Sequence, residues 1–155
     1  MPVTTAMRSR TSSPSCRPQY QTPRSTNRET RGLQVGRVSR LFHHPLMAHQ
    51  QLVADVGGEL LPDGSPAFRE VIVTLMRQQG KTTLILATEA ERCALRPTAQ
   101  RVAYTAQTGS DARKKLIDDQ VPILQGSKLW PAVRRVSRAQ GSEGIIWRNG
   151  SRIDV

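Results

Sequence analysis

Residues 70–83 read EVIVTLMRQQGKTT, and the fold turns on how that stretch divides. Its Val/Ile-rich part, Glu70–Leu75, has the continuous apolar character of a strand buried on both faces, as in a parallel sheet. From Lys81 to Leu95 the sequence KTTLILATEAERCAL holds helix formers and no Gly or Pro, so a helix is predicted there, ending before Pro97. Strand, glycine-containing turn and helix, in that order, are the setting in which backbone amides cradle a phosphate. Gly80 lets the chain curl, so that its amide and those of Lys81, Thr82 and Thr83 point inward at the positive end of the helix. In such a cradle the Lys81 ammonium spans the β- and γ-phosphates of ATP, and the Thr82 hydroxyl joins the coordination of Mg²⁺. Gln78 and Gln79 complete the loop and belong with Gly80, Lys81, Thr82 and Thr83 among the expected nucleotide-binding residues. The pattern G-x-x-x-x-G-K-[ST] is incomplete, because Leu75 stands at its first glycine, and a Gly-Lys-Thr at a helix start also arises by chance.

Downstream, RVAYTAQ (101–107) reads as a second strand, which makes a strand, helix, strand unit with a right-handed crossover. Thr108, three residues before Asp111, forms an approximate capping box and opens a helix through ARKKLIDDQ that bends or ends before Pro122. In GIIWRNGSRIDV (144–155), Asn149-Gly150 supplies the two positive φ angles of a type I′ hairpin turn, with Ile146 opposite Ile153 and Trp147 opposite Arg152. Upstream of the turn PDGS (62–65), Leu46, Gln50, Val53 and Val56 fall at helical spacing and imply a short helix crossing Gln50. Residues 1–32 mix Ser, Thr, Pro and Arg with few aliphatic residues and are expected to be a disordered basic leader, either an arm along DNA phosphates or a solvated tail.

Most of the net charge of +11 sits at the start of the chain: residues 1–40 hold eight of the 23 basic residues, all Arg, and one of the 12 acids, Glu29. The remainder is only mildly basic. Cys16 and Cys93 have no second ligand at metal-binding spacing, and no apolar run reaches the roughly 18 residues of a membrane span, so a cytoplasmic setting without membrane contact is expected. At 155 residues the chain suffices for one core, not for a complete multi-domain machine. The adjacent His43 and His44 suit neither shared metal binding nor catalysis, and Trp130 before Pro131 reads as a packing residue on a loop.

With the residues before Gly80 included, RQQGKTT (77–83) resembles the variant Walker A loop of bacteriophage terminase large subunits, where an Arg or Lys near the loop's start replaces glycine-rich sequence. Three further stretches are similar to terminases of actinobacterial phages in particular. PLMAHQQLVADV looks like the segment that precedes the loop and contacts adenine; Gln50 matches its glutamine, and His49 stands where Trp is usual. RVAYTAQTGSDARKKLIDDQVPIL resembles the family's next strand and helix, which places Thr105 and Gln107 near the nucleotide or the coupling to DNA; Lys114 and Lys115 could touch DNA or form a solvated face. GSEGIIWRNGSRIDV looks like the hairpin before the Walker B strand, whose Asp-Glu pair the sequence does not reach.

The resemblance implies an α/β fold of the P-loop NTPase (RecA/ASCE-like) class, a mostly parallel sheet with flanking helices truncated before the Walker B strand. Residues 33–155 would be the N-terminal portion of the ATPase domain, without the nuclease domain. It further implies ATP and Mg²⁺ as cofactors, Lys81 and Arg77 as catalytic residues, Arg77 acting on the γ-phosphate from within the loop, and Thr82 on the metal. The activity implied is ATP hydrolysis coupled to packaging of double-stranded DNA into proheads, in the cytoplasm of a bacterial host and encoded by a phage or prophage. The implied partners are the terminase small subunit and the portal protein, with a ring oligomer for the complete protein. Turnover by these 155 residues alone is expected to be near zero unless an acid such as Glu143 replaces the missing one. The alternatives are a fragment of another P-loop nucleic-acid motor, helicase-like and also bearing an upstream glutamine, or a non-catalytic basic DNA-binding or interaction protein that works through its leader.

Overall fold

The computed structural model describes Pro18 and residues 20–155, so the expectation of disorder over residues 1–17 lies outside the described residues. The part of the leader that is described docks on the body. Ser25 N and the Arg28 guanidinium both reach the Glu59 carboxylate (2.7 and 3.3 Å), and Leu60 N donates to Glu29 O (2.9 Å). Glu59 is buried, and these donors compensate its removal from water.

The first three helices are α1 (Gly32–Leu41), α2 (Ala48–Gly57) and α3 (Lys81–Leu95). α2 crosses Gln50 and α3 spans Lys81–Leu95, as the periodicity predicts. α1 adds to the expected elements: Val35, Val38 and Phe42 recur at helical spacing and are all buried. α3 is the central element: it packs against α1 on one side and against strands β1 (Arg101–Ala103) and β4 (Arg152–Asp154) on the other. Leu86, Ala87, Ala90 and Cys93 of α3 are fully buried, and a buried leucine alone contributes about 1.5–3 kcal/mol. Burial pushes the Cys93 thiol up to about 12, with the nearby Glu89 adding to the shift, so Cys93 is a packing residue and not a nucleophile.

After β1 come α4 (Gly109–Lys114), a π-helical turn (Lys115–Gln120), α5 (Val121–Gln125), β2 (Val133–Ser137) and β3 (Gly144–Trp147). The Thr108 cap forms as expected, its hydroxyl oxygen accepting from Asp111 N (3.1 Å). The helix does not stop before Pro122. The wider π-helical turn carries it onward, and Pro122 enters in the first turn of α5, where its missing N–H costs little.

The sheet departs from expectation in three ways. It is mixed, in the order β1-β4-β3-β2, with one parallel pair (β1 with β4) and two antiparallel pairs, not mostly parallel. Glu70–Leu75 is not one of its strands; Val71, Ile72 and Val73 lie in a segment without regular structure and are exposed. No strand among the described residues lies beside this segment, so its apolar run lacks the neighbours that a buried strand requires, and no crossover from it to β1 within the sheet exists. β1 itself covers only Arg101–Ala103 of the expected 101–107.

The hairpin forms one register away from the expected one. Ile145 pairs with Ile153 and Ile146 with Arg152. Only Gly150 has a positive φ (87°), so the loop is not a type I′ turn, which needs two. Asn149 accounts for the change: its Oδ1 accepts from Ser151 N (3.0 Å) and its Nδ2 donates to Cys93 O at the end of α3 (2.7 Å). Because side chains alternate along a strand, this one-residue shift puts Ile145, Trp147 and Ile153 together in the core.

Candidate phosphate-binding loop

The loop Arg77–Gly80 delivers the chain onto the positive end of α3. Gly80 is the N-cap residue of that helix, with φ of 69° in the left-handed region. A Cβ there would also collide with the Gln50 amide, so Gly80 is required twice over, by backbone angle and by close approach. Gln78 adopts φ of 63° without being glycine, a conformation that costs on the order of 1 kcal/mol or more. The helix has no side-chain cap and no acid in its first turn, so the amides of Lys81, Thr82 and Thr83 keep their positive end unneutralised.

Lys81 folds back over the loop. Its Nζ donates to Leu75 O (2.6 Å) and Met76 O (2.7 Å), closing a ring of chain around the turn. No carboxylate pairs with Lys81 or with the exposed Arg77 among the described residues. Thr82 and Thr83 are half-buried at the helix start. The residues singled out in sequence, 77–83, thus stand at one helix start with two cations that have no carboxylate partner among the described residues and with uncapped amides, an arrangement chemically suited to an anion with several oxygens.

Gln50 is brought to the same place from α2. It is 2 % exposed, and its amide is fully engaged: Oε1 accepts from Met47 N (2.7 Å), while Nε2 donates to Gln79 O (3.2 Å) and Gly80 O (2.8 Å). His49 Nε2 lies 3.3 Å from Gln79 O and donates to it in the tautomer protonated there. In this structure, therefore, Gln50 and His49 grip the backbone of the loop from behind. The sequence marked Gln50 through family resemblance alone; its position three residues beyond Met47, at the start of a helix, is the local signal that it can cap.

Other residues weighed in sequence lie apart from the loop's contacts. Thr105 and Gln107 are exposed in the segment leaving β1. Lys115 pairs with Asp119 (3.0 Å) on an exposed face. Glu143 is buried and pairs with Arg113 (2.9 Å), so in this structure its carboxylate serves an ion pair. A cavity of about 560 Å³ lies elsewhere, between the α1–α3 helices and residues 57–73, where apolar side chains such as Val35, Val53 and Leu84 line it together with Arg31, Glu59, Glu91 and Arg96. Among the described residues no cluster of His, Cys, Asp and Glu could hold a metal ion, and no helix is long and apolar enough to cross a membrane. The chain matches none of the protein-family models, curated proteins or solved structures with which it was compared.

Proposed function

We propose that Gln78–Thr83 bind the phosphates of ATP with Mg²⁺, and that the chain is the front part of the ATPase domain of a phage terminase large subunit. The observation that carries the reading is the meeting at one uncapped helix end of Lys81 and a left-handed Gly80 whose backbone is gripped by Gln50, with the exposed Arg77 three residues before Gly80 in the chain. Lys81 is held by neutral carbonyls, and a polyphosphate that replaces them offers the ammonium acceptors of full opposite charge. Thr82 supplies the hydroxyl for Mg²⁺, and Arg77 is free to turn toward the γ-phosphate, since no ion pair restrains it. The Gln50 grip fixes the loop's curvature, so its contribution to binding includes positioning the amides of the loop.

The terminase assignment, and with it double-stranded DNA, the small subunit and the portal as partners, rests on the sequence resemblance of residues 33–155. Isothermal titration tests the nucleotide-binding part. Mg²⁺-ATP is expected to bind saturably and weakly to the wild-type chain, and Lys81→Ala to abolish the heat. Equal binding by the two proteins would reject Lys81 as a phosphate ligand. Hydrolysis by this chain is expected to be close to background, since among the described residues no carboxylate pairs with either cation of the loop.

A further inference from the structure

Strand β2 forms the edge of the sheet farthest from β1, and its sequence VRRVS carries a bulge between Val133 and Arg135. The bulge breaks the ordinary alternation of faces, and consecutive Arg134 and Arg135 are both exposed as a result. Arg138 is exposed just beyond the strand, and Arg148 is exposed at the hairpin, tied to the start of β2 by Arg148 N on Ala132 O (2.9 Å) and Arg148 Nε on Pro131 O (2.7 Å). None of the four has a carboxylate partner among the described residues; the nearby Glu143 is engaged by Arg113. A shallow groove of about 360 Å³ runs between Arg134, Arg135 and Arg138 and the half-buried Trp130.

We infer that this β2 edge is a docking face for the phosphate backbone of duplex nucleic acid. Four uncompensated guanidiniums are a concentrated positive field, and each presents forked donors that match phosphate oxygens. At about 3.3 Å per residue, Arg134 and Arg138 stand roughly 13 Å apart. A duplex carries one negative charge per about 1.7 Å of axis, so that span meets several phosphates. A protein partner is disfavoured, because stable protein interfaces need an apolar centre and none of the large exposed apolar side chains lies between residues 96 and 154. A single strand is disfavoured as well, since Trp130 is half-buried in a short 3₁₀ turn, whose backbone is closed by Trp130 N on Ser127 O (3.2 Å), and is not a fully exposed platform for stacking. The inference assigns a surface to the duplex that the proposed function names as a partner, and it does not depend on the nucleotide site.

Fluorescence anisotropy with the full chain and a labelled duplex of about two helical turns, titrated between about 50 and 200 mM salt, tests it. Replacing Arg134, Arg135 and Arg138 together by Gln is expected to weaken binding at least tenfold and to lower the salt slope by about 2–3, at roughly 0.9 per lost phosphate contact. The corresponding triple Lys variant should retain most of the affinity, which separates lost charge from lost folding. Because the leader is itself basic, the same comparison is repeated with Arg8, Arg10 and Arg17 replaced by Gln, where the β2 effect should persist. Lys81→Ala should leave duplex binding intact, so failure of the nucleotide reading and of this one are distinguishable. An unchanged affinity and slope in the Gln variant, tighter binding to a single strand or an acidic peptide of equal charge, or self-association as the only consequence of the substitution would each overturn the proposal.

Discussion

Val71–Leu75 and Ile145–Trp147 are apolar runs of the same kind, and they end in opposite environments. Ile145 is 0 % exposed between two paired strands, whereas Ile72 is 82 % exposed with no backbone partner in reach. The difference is not in the side chains but in the neighbours. β3 has β2 on one side and β4 on the other, and Asn149 fastens the hairpin to the end of α3. Val71–Leu75 is anchored chiefly at its far end, where the Lys81 ammonium holds the Leu75 and Met76 carbonyls. A strand is thus a property of a pair, and an apolar pattern states only what a segment is able to join.

The comparison breaks or sharpens under substitution. Trp147→Ala should cost about 3–5 kcal/mol in urea unfolding, the range for deleting a buried aromatic. A cost under about 1 kcal/mol would mean that the sheet is not the stable half of the molecule.

A second effect, spread over several pH units, involves Glu89, a buried acid on α3 whose Oε2 has no partner and whose pKa burial pushes up to about 8, with Gln120 opposing the shift. The folded chain holds this proton between the ordinary value of 4.5 and about 8, while the unfolded chain releases it. Stability is therefore full below the lower value and declines as pH rises to the higher one, with a limiting slope of about 1.4 kcal/mol per unit. Glu89→Gln should flatten that decline and raise the urea midpoint at pH values above the interval. A decline of the same steepness in the Gln variant would assign the slope to another group.

Asn149→Ala removes both the bond to Cys93 O and the turn contact to Ser151 N, and should cost about 1–3 kcal/mol. If the hairpin then reverts to the local type I′ register, cross-strand nuclear Overhauser contacts will pair Ile146 with Ile153. The smallest effect belongs to the exposed run: Ile72→Ala should change stability by no more than about 0.5 kcal/mol. A loss comparable to that of Trp147→Ala would show that Val71–Leu75 is covered in solution.

What could be read in sequence divides along the same line. α2, α3 and the Thr108 cap follow from contacts within a few residues, which spacing and residue type encode. The hairpin register and the fate of Glu70–Leu75 depend on groups far away in the chain, such as Cys93 O for Asn149, and local pattern carries no trace of them. At the loop, the positive φ of Gly80 and the placement of Lys81 at the start of α3 were legible, because glycine and a helix start announce themselves. That Gln50 faces the loop backbone was not, because an amide can serve adenine or a carbonyl equally well and only the packing of α2 on the loop decides its direction.

The central claim is that the first turn of α3 with its preceding loop is a polyphosphate site. Amide chemical shifts of the isotope-labelled chain, followed while Mg²⁺-ATP, Mg²⁺-ADP and adenosine are added in turn, test it most directly. The amides of Gly80, Lys81, Thr82 and Thr83 are expected to move saturably with both nucleotides, more with ATP, and not with adenosine. Shifts absent from these amides at saturating Mg²⁺-ATP, or equally large with adenosine, would contradict it.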